Sequence, residues 1–445
     1  MPCCLLAGSP ALRSDVPDHP TGPGGPDAAL LAAADAAWAR IAAGDGDIRA
    51  FMPEDGRRAR LAADAAELAQ RWPAVASRPP LFGVPVGIKD VFRVDGLPTT
   101  AGSALPPDLL AGPESVAVRR VRSAGALVAG KTVTAEFAMV APGATGNPRD
   151  LEHTPGGSSS GSAAAVAAGL VPLALGTQTI ASVIRPAAYC GVAGFRPALG
   201  RIPADGVIPF APSLDVVGCF AADLAGLVRA AAVLCSDWQP PSGPDRRPAL
   251  GIPAGPYLER ASPDALAAFA GQAASLAAAG YPVHQVAVLA DMDQVEQLIV
   301  TITRYEAARV HARWFECYGQ LYRAGTAAVI QHGRAITAGE YAGALARAAE
   351  LARRLAAEAE RAGIDAWITP AATGPAPHGL ASTGDPVMSM PWSLAGLPAL
   401  TLPAGLVGGL PVGVQVVAAT GTDELLLLWA AGLEATLASR LDRPA

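Results

Sequence analysis

The segment GGSSSGSAAAVAAGLVPLALGTQTIASVIRPAAYCG, residues 156–191, changes its residue pattern several times. A loop of glycine and serine leads into a run of small residues, which predicts a helix with Ser162 as its N-cap. An apolar, strand-like run follows, and then a turn whose hydroxyl groups belong to Thr177, Thr179 and Ser182. One charge, Arg185, comes soon after this turn. The placement of Ser182 makes it a candidate nucleophile.

The composition predicts a large folded core. Of the 445 residues, 51% are hydrophobic and 16% are charged. This length allows up to about three domains, or one large α/β domain. The formal net charge is −6 and no cluster of lysine and arginine occurs, so we expect no nucleic-acid-binding surface.

Two further features bear on where the protein works. The six cysteines show neither a framework spacing nor a CxxC pair, and no signal-peptide pattern is present, which predicts reduced thiols in a cytoplasmic protein. The uncharged run between Asp385 and Asp423 is long enough to suggest a membrane span. Its prolines and glycines favour buried strands and turns instead, so we expect no membrane partner.

Helical and strand-like patterns alternate along the chain, which predicts an α/β layered fold around one sheet. Residues 1–26 are rich in proline and glycine and are expected to form a flexible N-terminal segment, followed by an alanine-rich helix over 27–43. Further along, Ser262 and Gly280 are predicted to cap a helix at its two ends.

A second helix has clear boundary signals. Thr337 and Glu340 form a capping-box pattern, and the predicted helix runs to Gly363. The last predicted pair is the strand PVGVQVVAA and the helix TDELLLLWAAGLEATLASRL.

The sequence contains no motif typical of a metal site or of a nucleotide-binding site. The six histidines never pair at a ligand spacing, and no HExxH motif occurs, so no metal site is predicted. No glycine-rich phosphate loop follows a predicted strand, so no cofactor is predicted either.

A GxSxG motif at residues 157–161 offers one route to a nucleophile, with Ser159 in the position used by α/β-hydrolases. That fold also needs an acid and a histidine later in the chain, and Asp365 or Asp385 with His378 would have to serve. The preceding sequence PRDLEHTP does not resemble the apolar strand that such a turn requires, which argues against this interpretation.

A better candidate for an activated nucleophile combines Lys89, Ser158 and Ser182. The alternation in GVPVGIKD predicts a strand with Gly87 and Lys89 on one face. A serine hydroxyl is a weak nucleophile without a base, and a buried lysine can be that base because desolvation disfavours the ammonium form. A second serine can relay the proton between them. A surface lysine and a flexible glycine/serine loop are the structural alternatives.

The three motifs in this order resemble the amidase signature family, with its Ser–cis-Ser–Lys triad. The resemblance rests on GVPVGIKD, GGSSSGSAAAVAAGLVPLALGTQT and SVIRPAAYCGVAGF, and it resumes at DAWITPAATGPAP, MPWSLAGLPALTLPAG and GLPVGVQVV. It implies a single large α/β domain over residues 27–445, with a mixed sheet covered by helices on both faces. Residues 240–330 match poorly and are expected to be mainly helical.

The resemblance also implies roles for individual residues. Lys89 corresponds to the catalytic lysine, Ser158 to the bridging serine that follows a cis peptide bond, and Ser182 to the nucleophile that forms the acyl-enzyme. Ser159 corresponds to a supporting hydroxyl. In malonamidase-like members, which share the SVIRPAA pattern, an arginine at the position of Arg185 binds a substrate carboxylate, and a structural ion pair is the alternative.

The turn before Ser182 departs from the family pattern. Backbone N–H groups around Thr179, Ile180, Ala181 and Ser182 are expected to form the oxyanion hole, yet the family usually has glycines where this chain has Ile180 and Ala181. If the turn needs a positive φ, a β-branched residue would distort it. Ile180 would also project near the acyl pocket, narrowing or closing it.

These observations predict an amidohydrolase that acts on a small, carboxylate-bearing or otherwise specialised linear amide. A weakened or non-hydrolytic protein on the same scaffold, an amidotransferase subunit that delivers ammonia to a tRNA-bound acyl group, and an enzyme that transfers the acyl group to another amine are alternatives. The acidic, lysine-poor surface argues against the amidotransferase. The resemblance allows for a homodimer.

Overall fold

The fold is built around one mixed sheet. The computed structural model describes residues 25–240 and 246–438, and within them ten strands form a single sheet in the order β2-β1-β3-β5-β4-β9-β10-β8-β6-β7. The strands are β1 (Pro85–Lys89), β2 (Leu127–Thr132), β3 (Leu173–Gln178), β4 (Ala193–Arg196), β5 (Val216–Ala221), β6 (Leu250–Ala254), β7 (Val283–Ala287), β8 (Ala366–Pro370), β9 (Ala399–Val407) and β10 (Leu410–Ala418).

The two ends of the sheet are parallel and its centre is antiparallel. β1 pairs in parallel with β2 and β3, and β6 does so with β7 and β8. The strands between β3 and β8 pair in antiparallel fashion. This arrangement confirms the predicted mixed sheet in one large α/β domain.

Thirteen α-helices accompany this sheet in the described part of the chain. They are α1 (Gly25–Gly44), α2 (Arg57–Arg71), α3 (Val116–Ser123), α4 (Ser160–Ala167), α5 (Ile184–Cys190), α6 (Leu224–Leu234), α7 (Pro263–Ala278), α8 (Met292–Val310), α9 (Ala312–Tyr318), α10 (Ala324–Arg334), α11 (Ala338–Ala362), α12 (Met390–Leu394) and α13 (Asp423–Ala438).

Helices cover both faces of the sheet because successive strand residues point to opposite sides. On one face, Val86 and Ile88 belong to a core cluster that includes residues of α3, α6 and α13. On the other face, Ala174 of β3 packs with α4 and α5 in a separate cluster. A Cβ added at Gly87 would meet Thr132 and Ala174 on this second face, as the predicted alternation requires.

Most of the predicted element boundaries are confirmed. The Ser262 hydroxyl accepts from the N–H of Ala265 at the start of α7, and Thr337 and Glu340 form the capping box of α11, which ends at Gly363. The helix predicted over 27–43 is α1. Of the segment predicted to be flexible, residues 1–24 lie outside the described residues.

The predicted N-cap of the helix after the serine loop was wrong. The helix α4 begins at Ser160 with Ser159 in the N-cap position, so Ser162 lies inside it. The Ser162 hydroxyl donates to the carbonyl of Leu175 at 2.8 Å and thereby ties α4 to β3. A pattern of several adjacent serines does not say which one a helix uses as its cap.

The poorly matched segment, residues 240–330, contains α7, α8, α9 and the start of α10, and also strands β6 and β7. The uncharged run before Asp423 forms α12, β9 and β10. None of the helices in the described ranges has the length and apolar character needed to cross a membrane.

The chain contains only two lysines, Lys89 and Lys131, and the sheet buries both. They lie on β1 and β2, at the end of the sheet where β2 is the edge strand. Every other positive side chain, apart from histidine, is an arginine.

Candidate active site

Lys89 lies at the centre of the candidate site. It is the last residue of β1 and is completely buried. Its Nζ atom donates to the Ser158 hydroxyl at 2.8 Å and to the Thr177 hydroxyl at 2.7 Å. The predicted contact between the lysine and the bridging serine is therefore present, and Thr177 is an additional partner that the sequence analysis did not assign.

The surroundings of Lys89 favour its neutral form. Burial lowers the pKa of Lys89 to about 7, and the carboxylate of Asp215 opposes this shift. A lysine of this pKa is substantially unprotonated at neutral pH, so it can accept a proton from a hydroxyl.

The glycine/serine loop places Ser158 and Ser159 differently. The peptide bond between Gly157 and Ser158 is cis, as the resemblance implied. The buried Ser159 hydroxyl donates to the Thr177 carbonyl at 3.1 Å and accepts from the Thr177 N–H at 3.3 Å. Gly176 permits this approach, because a Cβ there would lie 2.9 Å from the Ser159 oxygen.

These contacts argue against the α/β-hydrolase interpretation of the GxSxG motif. The Ser159 hydroxyl is engaged with backbone groups of β3. The residues before the motif, 148–155, form turns and isolated bridges. The ring of His378 lies against His153 in that same region. The Ser159 hydroxyl thus joins the loop to β3.

Ser182 lies in the turn between β3 and α5, and 8% of its surface is exposed. Its hydroxyl has no hydrogen-bond partner among the described residues. The backbone N–H groups of Ile180, Ala181 and Ser182 likewise donate to no acceptor within residues 25–240 and 246–438. The turn therefore holds a free hydroxyl next to three free N–H groups.

The turn does not need glycine. Neither Ile180 nor Ala181 has a positive φ, so an L-residue adopts the backbone conformation without steric conflict. The side chain of Ile180 is half-buried and packs against the core cluster that contains Ile184, Leu214 and Trp392. The distortion considered from the sequence is absent from this turn, and much of the isoleucine surface lies against protein.

Three side chains hold the turn in place, and two of them, Gln178 and Ser393, were not singled out from the sequence. Thr179 donates to a carboxylate oxygen of Asp215 at 2.5 Å. Gln178 accepts from the N–H groups of residues 183 and 184, at 2.9 and 3.0 Å. Ser393 donates to the carbonyl of Ile180 at 2.6 Å.

Asp215 is itself fixed to the backbone. Its second oxygen accepts from the N–H groups of Phe210 and Ala211, at 2.8 and 3.0 Å. Desolvation raises the pKa of this carboxyl, and the hydrogen bond from Thr179 opposes the shift. Because Gln178 pairs with Val216 across the sheet, the next residues outward, Thr179 and Asp215, meet at the strand ends.

Arg185 is buried in α5 and contacts the loops around the site. Its guanidinium donates to the carbonyls of Gly384 at 2.6 Å and Gly157 at 2.7 Å, and to the Thr383 hydroxyl at 3.0 Å. These contacts join the helix to the residue before the cis bond and to a C-terminal loop. They favour a positioning role, and the predicted contact with a substrate carboxylate stays a prediction.

A separate cavity of about 310 Å³ lies beside Asp90 and Lys131. These two residues form a buried ion pair at 2.6 Å. Lys131 also donates to the Thr99 hydroxyl and to the Pro98 carbonyl. Because the three N–H groups of Lys131 are already engaged, we regard this pair as structural.

Comparison with known proteins identifies the family of this chain. The chain matches the family model called Amidase over residues 32–427. It is 33% identical over 441 residues to a glutamyl-tRNA(Gln) amidotransferase subunit from Roseiflexus castenholzii, with 88% of this chain and 89% of that protein covered. This relative does not point to the malonamidase-like subgroup that the SVIRPAA pattern suggested.

Two solved structures extend the comparison. One, described as the crystal structure of an amidase, superposes with a TM-score of 0.82 at 32% identity and covers 92% of this chain and 96% of its own. The native peptide amidase of Stenotrophomonas maltophilia gives a TM-score of 0.78 at 26% identity, with 93% and 94% covered. With a family model that spans most of its length and a fold shared with these enzymes, the chain belongs to the amidase signature family.

Proposed function

We propose that this protein hydrolyses the C–N bond of a small amide through an acyl-enzyme on Ser182. The observation that carries the proposal is the contact of 2.8 Å between the fully buried Lys89 amine and the Ser158 hydroxyl. A desolvated lysine that touches a serine beside a free nucleophile turn is the arrangement that serine activation requires.

The proposed steps use the contact between Lys89 and Ser158, and they require the free Ser182 hydroxyl to reach Ser158 when the substrate binds. Ser182 attacks the amide carbon while its proton passes to Ser158, and the Ser158 proton passes to neutral Lys89. The free N–H groups of the turn stabilise the oxyanion. When the tetrahedral intermediate collapses, the C–N bond breaks and the same relay returns the proton to the leaving nitrogen. Water then attacks the acyl-enzyme, and Ser182 is regenerated.

Fluorophosphonate labelling of the purified protein, with the modified peptide located by mass spectrometry, tests this proposal. We expect the label on Ser182, no label on the S182A variant, and loss of labelling in K89M. A label on Ser159 would support the α/β-hydrolase alternative. A folded protein that takes no label would support a non-hydrolytic scaffold.

The substrate class is a finer prediction. Arg185 could bind a substrate carboxylate only if its guanidinium also reached the substrate at Ser182. It already makes three contacts with the protein. A panel of small amides with and without a carboxylate therefore follows the labelling experiment. Addition of an amine such as hydroxylamine to the same assays detects acyl transfer.

A second function is favoured by the relative from Roseiflexus castenholzii, which is named as part of an amidotransferase and is covered almost along its full length. In that role the chain would release ammonia from an amide for use by partner subunits. Ammonia release by the isolated chain from small amides supports the hydrolase. Activity on glutamine that appears only when the partner subunits and tRNA are added supports the amidotransferase.

A further inference from the structure

Ser393 makes a contact with the nucleophile turn that has a specific geometric consequence. It lies on α12, is 1% exposed, and donates to the carbonyl oxygen of Ile180 at 2.6 Å. The peptide group between Ile180 and Ala181 is planar and trans, so its N–H points in the direction opposite to its carbonyl. Holding the carbonyl therefore sets the direction of the Ala181 N–H.

The direction of this hydrogen bond is determined by the network. The side-chain oxygen of Gln178 accepts from the N–H groups of Val183 and Ile184, so its amide nitrogen faces the other way. That nitrogen donates to the Ser393 hydroxyl at 3.0 Å. With an acceptor role already filled, the hydroxyl proton is directed to the carbonyl of Ile180.

The same network separates engaged from free N–H groups in the turn. Gln178 engages those of residues 183 and 184, whereas those of residues 180 to 182 have no acceptor within the described chain. The free N–H groups therefore belong to the nucleophile Ser182 and to the two residues before it, where an oxyanion would form.

We infer that Ser393 is a positioning residue that aims the Ala181 N–H at the oxyanion, in a turn that lacks the usual glycines. This inference rests on the proposed function, because it presumes that Ser182 forms a tetrahedral adduct. It assigns the direction of the Ala181 N–H to a hydroxyl from a distant part of the chain, while Thr179 and Gln178 hold the two ends of the turn.

The S393A variant tests the inference, and S389A is its matched control. Ser389 is equally buried one helical turn earlier, and its hydroxyl donates to the side chain of Gln415 at 3.1 Å, away from the nucleophile turn. The probe is the fluorophosphonate, whose phosphoryl oxygen occupies the oxyanion position in the adduct on Ser182. Thermal unfolding of each variant reports on the fold.

We expect S393A to slow the labelling of Ser182 by about 10- to 100-fold, less than the ~10²–10³ that follows complete loss of an oxyanion donor. S389A should label at the wild-type rate, and S393T, which retains the hydroxyl, should recover most of the rate. For any amide that is turned over, kcat should fall while KM changes little, because the contact acts on the transition state.

The outcomes separate the two proposals. If S393A labels Ser182 as fast as the wild type, Ser393 has no positioning role and the hydrolase proposal is unaffected. If S389A slows labelling as much as S393A, the effect is a general loss of packing and the inference is wrong. If the wild-type protein takes no label on Ser182, the proposed function itself fails.

Discussion

The amine of Lys89 connects the chemistry of the site to pH. Its pKa of about 7 means that the base becomes available as the pH rises through neutrality. We therefore expect kcat/KM to rise with pH and to level off above about pH 7 to 8. A pH profile on any amide substrate measures this, and activity that is constant down to about pH 5 would contradict it.

Asp215 tunes that same amine. Its negative charge raises the pKa of Lys89, so the D215N variant should lower that pKa and move the acid limb of the profile to lower pH. T179V is the matched control, because it removes the hydrogen bond to Asp215 and keeps the carboxyl group, so it should move the limb less than D215N does. The proposed tuning fails if both variants shift the limb equally.

Burial of Lys89 also affects stability. The unfolded lysine has a pKa of 10.5 and the folded one a pKa of about 7, so between these values the unfolded chain binds a proton that the folded chain does not. The unfolding free energy of the wild type therefore decreases as the pH falls through this window, by about 1.4 kcal/mol per pH unit from this group.

The K89M variant lacks this contribution. The unfolding free energy of K89M minus that of the wild type should increase as the pH falls from about 10 to about 7. Below about pH 7 this difference should stay constant. Urea unfolding of both proteins at several pH values measures the difference, in which all other titrating groups cancel. A difference that does not vary with pH would show that Lys89 is solvated in the folded state.

Single residues also show what the sequence could and could not predict. The strand alternation and the family resemblance pointed to Lys89 and Ser158, which the structure brings into contact. Asp215 and Ser393 were not predicted, because each is distant in sequence from the residue that it contacts. The separations are 36 residues from Thr179 and 213 residues from Ile180. Such meetings depend on strand order and register, which a single sequence does not display.

At the scale of elements, Arg185 joins three parts of the chain: α5, the loop that ends at Gly157, and the loop around Gly384. The R185Q variant should lose about 2–4 kcal/mol of unfolding free energy, because it leaves buried carbonyls without donors. It should also lower kcat/KM by a similar factor on neutral amides such as propionamide and on acidic ones such as succinamate.

That comparison separates two roles of the arginine. A loss confined to the acidic amides would support the predicted carboxylate contact instead of a positioning role. The sequence alone does not distinguish the two roles, because an arginine on a buried helix fits both. The positioning role became apparent only from its partners in the loops near residues 157 and 384.

Helix boundaries were predictable where one residue carried the signal. Ser262 and the pair Thr337 and Glu340 cap their helices as expected because each stands alone before an apolar run. Among adjacent serines the helix start was misplaced, since every one of them offers a hydroxyl and the tertiary contact of Ser162 with β3 determines the outcome.

At the scale of the whole molecule, α13 is tied to the sheet through a buried charge. Arg196 of β4 is fully buried, donates to the carbonyl of Leu397, and interacts electrostatically with Asp423 at the start of α13. Asp423 in turn accepts from the N–H of Ala198 at 2.7 Å. The D423A variant should cost about 1–3 kcal/mol, because the buried N–H of Ala198 loses its acceptor and the buried Arg196 loses a nearby negative charge.

Denaturant unfolding measures this cost, and E424Q is the control. Glu424 pairs with the partly exposed Arg201, so its loss should cost about 1 kcal/mol or less. Labelling of Ser182 in the folded fraction should be unchanged in both variants. Equal costs would show that Arg196 does not depend on Asp423.

The mixed sheet was predictable in kind, since helices and strands alternate and the family resemblance implied it. Its order was not, because β4 lies between β5 and β9, and no hydrophobic pattern encodes which strands become neighbours. The two lysines show a further result of this packing.

Both lysines are buried, at 0% and 4% exposure, so the described surface carries no lysine amine. Amine-directed cross-linkers and acylating reagents will therefore find no lysine to modify while the sheet is intact. Exposure of either lysine to bulk solvent therefore requires β1 or β2 to open. The extent of lysine acylation in a partly denatured sample would thus report directly on the opening of the edge of the sheet that carries the proposed base.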